Sequence, residues 1–360
     1  MKVLLTITGL SMGGAEHVVV NLADALAARG HQVKIAYLTG EALVLPKDKS
    51  IEVIAIGMKG KAGFLSAYFK LRALVKAFQP DVVHSHMVHA NLISRLLRLT
   101  VKIPKLVCTA HSNNEGGQLR MLAYRITDKL ADISTNVSQD AVNEFVAKGA
   151  VKPGRMLAIA NGIDVNTFSY NSHARDTIRN ELGISDKKML LAVGRLDVPK
   201  DYPNLLHAIE RLAQQRDDFK VFIVGDGPLR NEFGALVKTM NIEGMVEFLG
   251  IRRDVPALMS ATDLFVLPSA WEGFGLVVAE AMACERVVVA TDCGGVSEVV
   301  GSSGFLVPPK NSDALADALN NALSLDSSEC AEISKAARQR VVERFSLDAN
   351  VDAFLSLYSA

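Results

Sequence analysis

Residues 194–200 read Gly-Arg-Leu-Asp-Val-Pro-Lys. Arg195 and Lys200 stand on a segment that leaves the apolar run Met189–Val193. There a planar fork and a point charge can converge on a diphosphate, and together they can supply the charge a magnesium ion would otherwise bring. The plain alternative is a solvated surface pair. Farther on, Glu272 and Glu280 bracket a glycine-containing turn in Pro268-Ser-Ala-Trp-Glu-Gly-Phe-Gly-Leu-Val-Val-Ala-Glu280. A carboxylate can accept from both hydroxyls of a sugar or ribose diol, so at this spacing one can meet a sugar and the other a nucleoside, with the diphosphate between. A helix is expected from Gly275 or Leu276, and its first amides suit phosphate. Glu280 is flanked by Ala279, Ala281 and Met282, and a carboxylate in such surroundings needs a partner.

Other candidates are weaker alone. Gly9-Leu-Ser-Met-Gly-Gly-Ala-Glu16 follows the first apolar run, and Gly13 and Gly14 allow positive φ and close backbone approach. Gly225-Asp-Gly-Pro228 and Thr291-Asp-Cys-Gly-Gly295 are further glycine loops at strand ends. The first of these reads mostly as loop shaping with a backbone contact to ligand available. Asn161-Gly-Ile-Asp164 is a turn signal. His84, His86 and His89 have a spacing that suggests a metal, but no carboxylate or cysteine lies near them in sequence, so they read as polar lining and no metal is expected. His111, in Cys108-Thr-Ala-His-Ser112, sits where a ligand-facing residue belongs.

These residues need a scaffold of strands and helices in alternation. Val-, Ile- and Leu-rich runs recur at Val3–Ile7, Val33–Tyr37, Val53–Ile56, Val82–His84, Leu106–Thr109 and Ile133–Val137, with helical patterns such as Val18–Ala28 and Ser66–Phe78 between them. A second series runs through Met189–Val193, Val221–Val224, Val246–Leu249, Leu264–Leu267, Val287–Ala290 and Gly304–Val307. Its helices include Tyr202–Gln214, Pro228–Met240, Val255–Ser260 and Leu276–Ala283. The pattern predicts an α/β protein of two tandem Rossmann-like, doubly wound parallel-sheet domains facing each other across a cleft. The polar stretch Phe168–Ser185 is the expected linker. The expected domains are residues 1–168, joined by a C-terminal helix over 346–360, and residues 169–345.

Composition sets the outer bounds. The 360 residues are 49% hydrophobic and 22% charged, and the four cysteines form no CxxC pair, which suits a reducing compartment and neither a disulfide framework nor a zinc site. No leader is recognised in Lys2–Leu10, and no apolar run approaches the ~20 residues of a membrane span. A cytoplasmic protein is therefore expected. Net charge is zero, yet residues 1–170 hold 20 Lys+Arg against 12 Asp+Glu, which points to an anionic partner for the first half. Within it, Phe64, Leu65, Tyr68, Phe69, Leu71, Leu74, Val75 and Phe78 make one broad apolar face, crowded by Lys59, Lys61, Lys70, Arg72 and Lys76. Such a helix can lie on an anionic membrane or pack as a core helix with a solvated face. The expected location is thus the cytoplasm, with peripheral contact at the inner face of the cytoplasmic membrane. No nucleic-acid partner is expected.

Taken in order and spacing, these motifs resemble the retaining glycosyltransferases of family four, which have the GT-B fold, and the resemblance covers essentially the whole chain. Glu272 and Glu280 resemble that family's E-x7-E motif, and Gly194, Arg195 and Lys200 its G-R-x-x-x-x-K segment. Gly13–Glu16, Asn161–Asp164 and Gly225–Pro228 resemble its other landmarks. The resemblance implies that Arg195 and Lys200 neutralise the departing diphosphate, assisted by the amides of Gly275, Leu276 and Val277. It gives Glu280 the ribose hydroxyls and Glu272 the donor sugar, with His111 touching that sugar or shaping its pocket. Gly14 would let the first loop approach the phosphates, with Gly194 and Gly225 beside the nucleotide. It implies a UDP-sugar as donor substrate, a glycan or lipid-linked glycan as acceptor, and transfer of a hexosyl or N-acetylhexosaminyl group with retention. It implies no metal and no cofactor, and a place in bacterial surface-polysaccharide assembly, such as lipopolysaccharide. Two departures stand out: Asp201 replaces the usual glycine after the lysine, and Ser269-Ala-Trp271 precedes Glu272 where the family is richer in aromatics.

Three rivals are weighed. Another GT-B enzyme, such as a nucleotide-sugar epimerase, would release nucleotide without an acceptor. A nicotinamide dehydrogenase would need a G-x-G-x-x-G turn, and Gly9, Gly13 and Gly14 are wrongly spaced for it. A non-catalytic protein of the same fold would have no need of Arg195, Lys200 and Glu272 together.

Overall fold

A computed structural model of the protein describes residues 1–113, 115–184 and 186–359; the side chain of Lys61 lies outside the described residues. The chain divides into two compact units, Met1–Gly162 with the tail from Leu347, and Ile163–Ser346.

The first unit is a seven-stranded, all-parallel sheet of β1 (Lys2–Gly9), β2 (Gln32–Thr39), β3 (Glu52–Ala55), β4 (Val82–His86), β5 (Lys105–Ala110), β6 (Ile133–Asn136) and β7 (Met156–Ala158), in the order β3-β2-β1-β4-β5-β6-β7. The central strands are buried along nearly their whole length, as helices on both faces require. The second unit is a six-stranded parallel sheet of β8 (Lys188–Val193), β9 (Phe219–Val224), β10 (Val246–Gly250), β11 (Leu264–Leu267), β12 (Val287–Thr291) and β13 (Phe305–Val307), in the order β10-β9-β8-β11-β12-β13. Both units are Rossmann-like. Strand order reverses between β1 and β4 in the first and between β8 and β11 in the second. These are the switch points outside which such sheets bind ligands.

The structure corrects one expectation and adds two elements that the sequence reading lacked. The stretch Phe168–Ser185 is no open linker. It carries the helix Ser172–Glu181, capped by the Asn171 side chain and burying only Ile178. Its polarity hid it, because it is anchored by Arg175 and Arg179 to Asp263, at 2.5 and 2.9 Å, more than by apolar contact. Strand β7 is too short to show as an apolar run. The helix Ser327–Phe345 also escapes the apolar pattern, although Asp326 and Glu329 form a capping box at its start. The tail helix Leu347–Ser359 packs on the first unit, where Val351, Phe354 and Tyr358 join the core of Val19, Leu22 and Leu26. The chain leaves the first unit at Gly162, where an added Cβ would lie 2.8 Å from Asn350 Cβ and 2.9 Å from Leu347 Cα. Only glycine fits between this strand end and the returning tail.

Candidate active site

The second unit assembles its chemistry at the carboxyl edge of its sheet. Two loops straddle the switch point, one following β8 through Gly194–Lys200 and the other following β11 through Pro268–Gly275. They meet in an ion pair: Lys200 Nζ lies 2.5 Å from Glu272 Oε1. The same oxygen accepts from Ser269 Oγ at 2.7 Å, and Thr291 Oγ1 donates to the Ser269 carbonyl at 2.6 Å. Ala270 N donates to Pro199 O at 2.9 Å, tying the loops a second time.

Glycines make this approach possible. A Cβ on Gly294 would meet Glu272 O at 1.8 Å, and one on Gly225 would meet Gly194 O at 2.0 Å; both residues also take positive φ. Gly225 is therefore accounted for by loop packing. A Cβ on Gly194 would press on Lys200 Cε at 3.2 Å, so its absence lets the lysine stem lie flat. Gly275, at φ 87, starts the helix Leu276–Ala283, and Val296 leaves no room for a side chain there. The amides of Gly275, Leu276 and Val277 occupy the turn where a helix leaves its donors without intrahelical acceptors.

The two glutamates differ. Glu272 is engaged by Lys200 and Ser269. Glu280 has no side-chain hydrogen-bond partner among the described residues, and burial pushes its carboxyl up to about 8. Arg195 does not join the ion pair. Its side chain is 70% exposed and reaches only Asp197, at 3.4 Å. Burial raises Asp197 from its ordinary value, against the pull of Arg195 and Lys200. Asp201, in place of the family's glycine, adopts φ 44. The backbone keeps the left-handed turn that a glycine would take.

In the first unit, Gly14 opens the helix Gly14–Ala28, and neither it nor Gly13 takes the positive φ expected of them: Gly13 is extended at φ −160. A Cβ at 13 would lie 2.5 Å from Glu16 Oε2, so a side chain there would displace that carboxylate. Glu16 is buried and accepts from Ser11 Oγ at 3.1 Å, a carboxylate tucked into its own helix start. His111 follows β5, with its amide on Glu115 Oε1 at 3.0 Å and its Nε2 3.0 Å from His86 Nδ1. Burial lowers His111 to about 4. His84 bonds Tyr358 Oη and Thr109 Oγ1, at 2.7 and 2.6 Å. No group of three or more His, Cys, Asp or Glu among the described residues is placed to hold a metal ion.

Sequence reasoning missed Ser269, Thr291, Asp197 and Gly294. Thr291 and Gly294 act between loops far apart in the chain, Ser269 both within its loop and across, and Asp197 within its own; only Gly294, in its glycine pair, left a signal. On the basic helix, sequence reasoning left a core reading and a membrane-surface reading open. In Phe64–Phe78 the residues Ala67, Leu71, Val75 and Phe78 belong to the core, while Leu65 and Phe69 are exposed. Lys70 bonds Ile56 O and Arg72 bonds Thr100. Lys59 and Lys76 are exposed. The barer stripe lies on the helix Gln118–Thr127, where Leu119 is 84% and Ile126 71% exposed beside Leu122, Arg120 and Arg125. No helix among the described residues is long and apolar enough to cross a membrane.

Two Rossmann-like sheets, the second with a lysine–glutamate pair at its switch point, match the architecture of the GT-B glycosyltransferases. Residues 174–340 match the family described as glycosyl transferases group 1, and residues 12–167 match glycosyltransferase family 4. The chain belongs to these glycosyltransferases. It is 26% identical to the UDP-Gal:alpha-D-GlcNAc-diphosphoundecaprenol alpha-1,3-galactosyltransferase of Escherichia coli, over 82% of this chain and 79% of that one. It is 28% identical to the N-acetyl-alpha-D-glucosaminyl L-malate synthase of Bacillus anthracis, over 99% and 97%. The crystal structure of HepE from Anabaena in complex with UDP superposes with a TM-score of 0.86 at 24% identity, covering 100% of both chains. That likeness establishes the fold.

Proposed function

We propose that this glycosyltransferase moves a hexosyl or N-acetylhexosaminyl group from a UDP-sugar to a hydroxyl of a glycan or lipid-linked glycan, with retention at the anomeric carbon and without a metal. The Lys200–Glu272 pair across the second switch point carries the reading. Lys200 bears the charge that a departing diphosphate needs, and Glu272 holds it in place until the substrate arrives. Arg195 is exposed on the same loop and supplies the second cation. The first amides of the helix Leu276–Ala283 add donors, and the unpartnered Glu280 is suited to ribose hydroxyls. The bond from the anomeric carbon to the diphosphate oxygen breaks, the acceptor oxygen bonds that carbon from the same face, and the acceptor proton passes to the departing diphosphate. The protein supplies position and charge. The E. coli relative, named for a diphosphoundecaprenol-linked sugar, supports a lipid-linked acceptor and a place in surface-polysaccharide assembly.

The same reading puts the first unit in peripheral contact with an anionic cytoplasmic membrane face, through Lys59, Lys70, Arg72 and Lys76 and the bare stripe of Gln118–Thr127. Purified protein, a panel of UDP-sugars and a polyprenyl-diphosphate-linked glycan, assayed with and without chelator, test the transfer. An α-configured product from an α-configured donor is expected, undiminished by chelator. An inverted product, or UDP release that ignores the acceptor, would refute the reading. Cosedimentation with phosphatidylglycerol vesicles at low salt tests the membrane contact alone.

A further inference from the structure

The segment that leaves β5 starts at His111, one strand from the first switch point, and runs to the helix Gln118–Thr127. Three of its backbone carbonyls are tied down by side chains from elsewhere. Asn136 Nδ2 donates to Ser112 O at 3.2 Å, Lys148 Nζ to Asn113 O at 2.9 Å and Arg120 Nη1 to Glu115 O at 2.9 Å. None of these bonds depends on which side chain stands at 115.

The Glu115 carboxylate makes a different connection. Its Oε1 accepts from His111 N at 3.0 Å, and its Oε2 accepts from Tyr124 Oη at 2.5 Å. Tyr124 is a fixed post on the helix. It is buried, edge-on to Phe145 at 5.5 Å, with Arg95 over its ring at 5.0 Å. Its oxygen also accepts from Asn91 Nδ2 at 3.0 Å. Asn91 in turn is held by Ser85 Oγ at 2.7 Å and by the Thr109 carbonyl at 2.9 Å. A phenol has one proton to give, and with Asn91 donating to it that proton goes to Glu115. Both carboxylate oxygens therefore act as acceptors. Burial raises the carboxyl of Glu115, and the bonds from Tyr124 and the His111 amide oppose that rise. A charge kept in such surroundings needs partners of this kind. Closing the turn does not require it, because the three carbonyl bonds already do so. What the carboxylate adds is a second anchor for His111. The ring is held by His86 at 3.0 Å, and the backbone is held by Glu115.

We propose that Glu115 is a positioning residue of the donor site, fixing the His111 backbone against Tyr124 and acting on substrate only through that histidine. Its effect on the donor rests on the transferase reading and on the sugar contact that the family resemblance implies for His111. The link from helix to loop does not.

The test is a double-mutant cycle on the full chain, reading KM for the UDP-sugar and, by calorimetry, the Kd of UDP. Glu115→Ala should raise KM by about tenfold, the worth of one such bond, with UDP affinity unchanged. Glu115→Gln keeps a carbonyl for the His111 amide and should restore most of the loss. In a His111→Ala background Glu115→Ala should add nothing, as expected of residues that act as one unit. Additive effects, a Gln variant as impaired as the Ala variant, or a folded Glu115→Ala protein with wild-type KM would overturn the proposal. Tyr124→Phe keeps the ring and cuts only the far end of the link. It should speed solvent exchange of the His111 amide by about tenfold or more, read by NMR on 15N-labelled protein. Unchanged exchange would overturn the link even if Glu115→Ala did not fold. If the wild type transferred no sugar, the transferase reading alone would fail, and this exchange rate would still decide the link.

Discussion

The second sheet has cations at both of its edges, and they are held in opposite ways. At the amino edge Arg175, Arg286 and Arg338 line a hollow of about 1120 Å³ together with Lys188 and Lys335. By size and charge this is the more obvious anion site. Its arginines, however, are occupied by backbone. Arg175 reaches Ala261 O and Thr262 O at 2.7 and 3.0 Å, Arg286 reaches Thr262 O and Cys284 O at 2.7 and 2.9 Å, and Arg338 reaches Ala283 O. The helices Val255–Ala261 and Leu276–Ala283 both end there, and their carbonyl ends are negative. These guanidinium groups cap helices. At the carboxyl edge Lys200 is held by a side-chain carboxylate and Arg195 by almost nothing. A carboxylate can be displaced by substrate, whereas a helix end cannot. Availability, more than the number of charges, separates a site from a structural clamp.

The comparison is broken most directly at its strongest point. Lys200→Ala should lower kcat by about 10²–10³, as loss of a transition-state donor does. A variant with near-normal turnover would remove the distinction between the edges. The next effect is the mirror image. Arg175→Ala strips Asp263 of one of two arginine partners in a part-buried position and should cost about 2–3 kcal/mol of stability, with KM for the donor unchanged. A stable Arg175→Ala protein with a raised KM would make the amino edge a binding site after all.

Glu280 adds a pH axis. Its carboxyl titrates near 8 in the folded protein and near 4.3 in an unfolded chain. Between these values the folded state holds a proton that the unfolded state has lost, so its contribution to stability falls as pH rises through that window. Glu280→Gln should therefore stabilise the ligand-free protein at pH 8 relative to wild type, by on the order of 1–2 kcal/mol after discounting for the partial exposure of the group, and hardly at all at pH 4. Thermal melts at the two pH values read the difference. UDP, if its ribose takes the ionised carboxylate, should release a proton on binding near pH 7, seen as a buffer-dependent calorimetric enthalpy.

The sequence made the fold legible because parallel strands buried on both faces must be apolar runs, and twelve of the strands showed in that way. It hid the helix Ser172–Glu181, whose anchors are arginines, and it left Phe64–Phe78 undecided, because helical spacing cannot tell a core face from a bare one. Of the candidates that spacing singled out, Lys200 and Glu272 come together at the carboxyl edge, while Arg195 and Glu280 do not join their pair. The sequence could not show that Glu272 and Lys200 pair while Glu280 stays unpartnered, because that depends on loops from β8 and β11 meeting. Nor could it show that Gly13 and Gly225 answer to close contact with neighbouring groups.

The smallest expected effect lies at Asp201, between Lys200 and the helix Tyr202–Ala213. Its φ of 44 costs a side-chain-bearing residue about 1–2 kcal/mol, less for Asp than for most. Glycine would relieve that strain but would enter folding with more chain entropy to lose, about 0.5–1 kcal/mol. Relief of strain outweighs the entropy lost, so Asp201→Gly should gain about 0.5 kcal/mol, read as a small rise in urea midpoint. Because Asp201 already holds the left-handed turn and Lys200 is paired with Glu272, kcat should not change. A faster Asp201→Gly enzyme would mean that the aspartate restrains the lysine, and that the carboxyl edge is less ready for substrate than its contacts suggest.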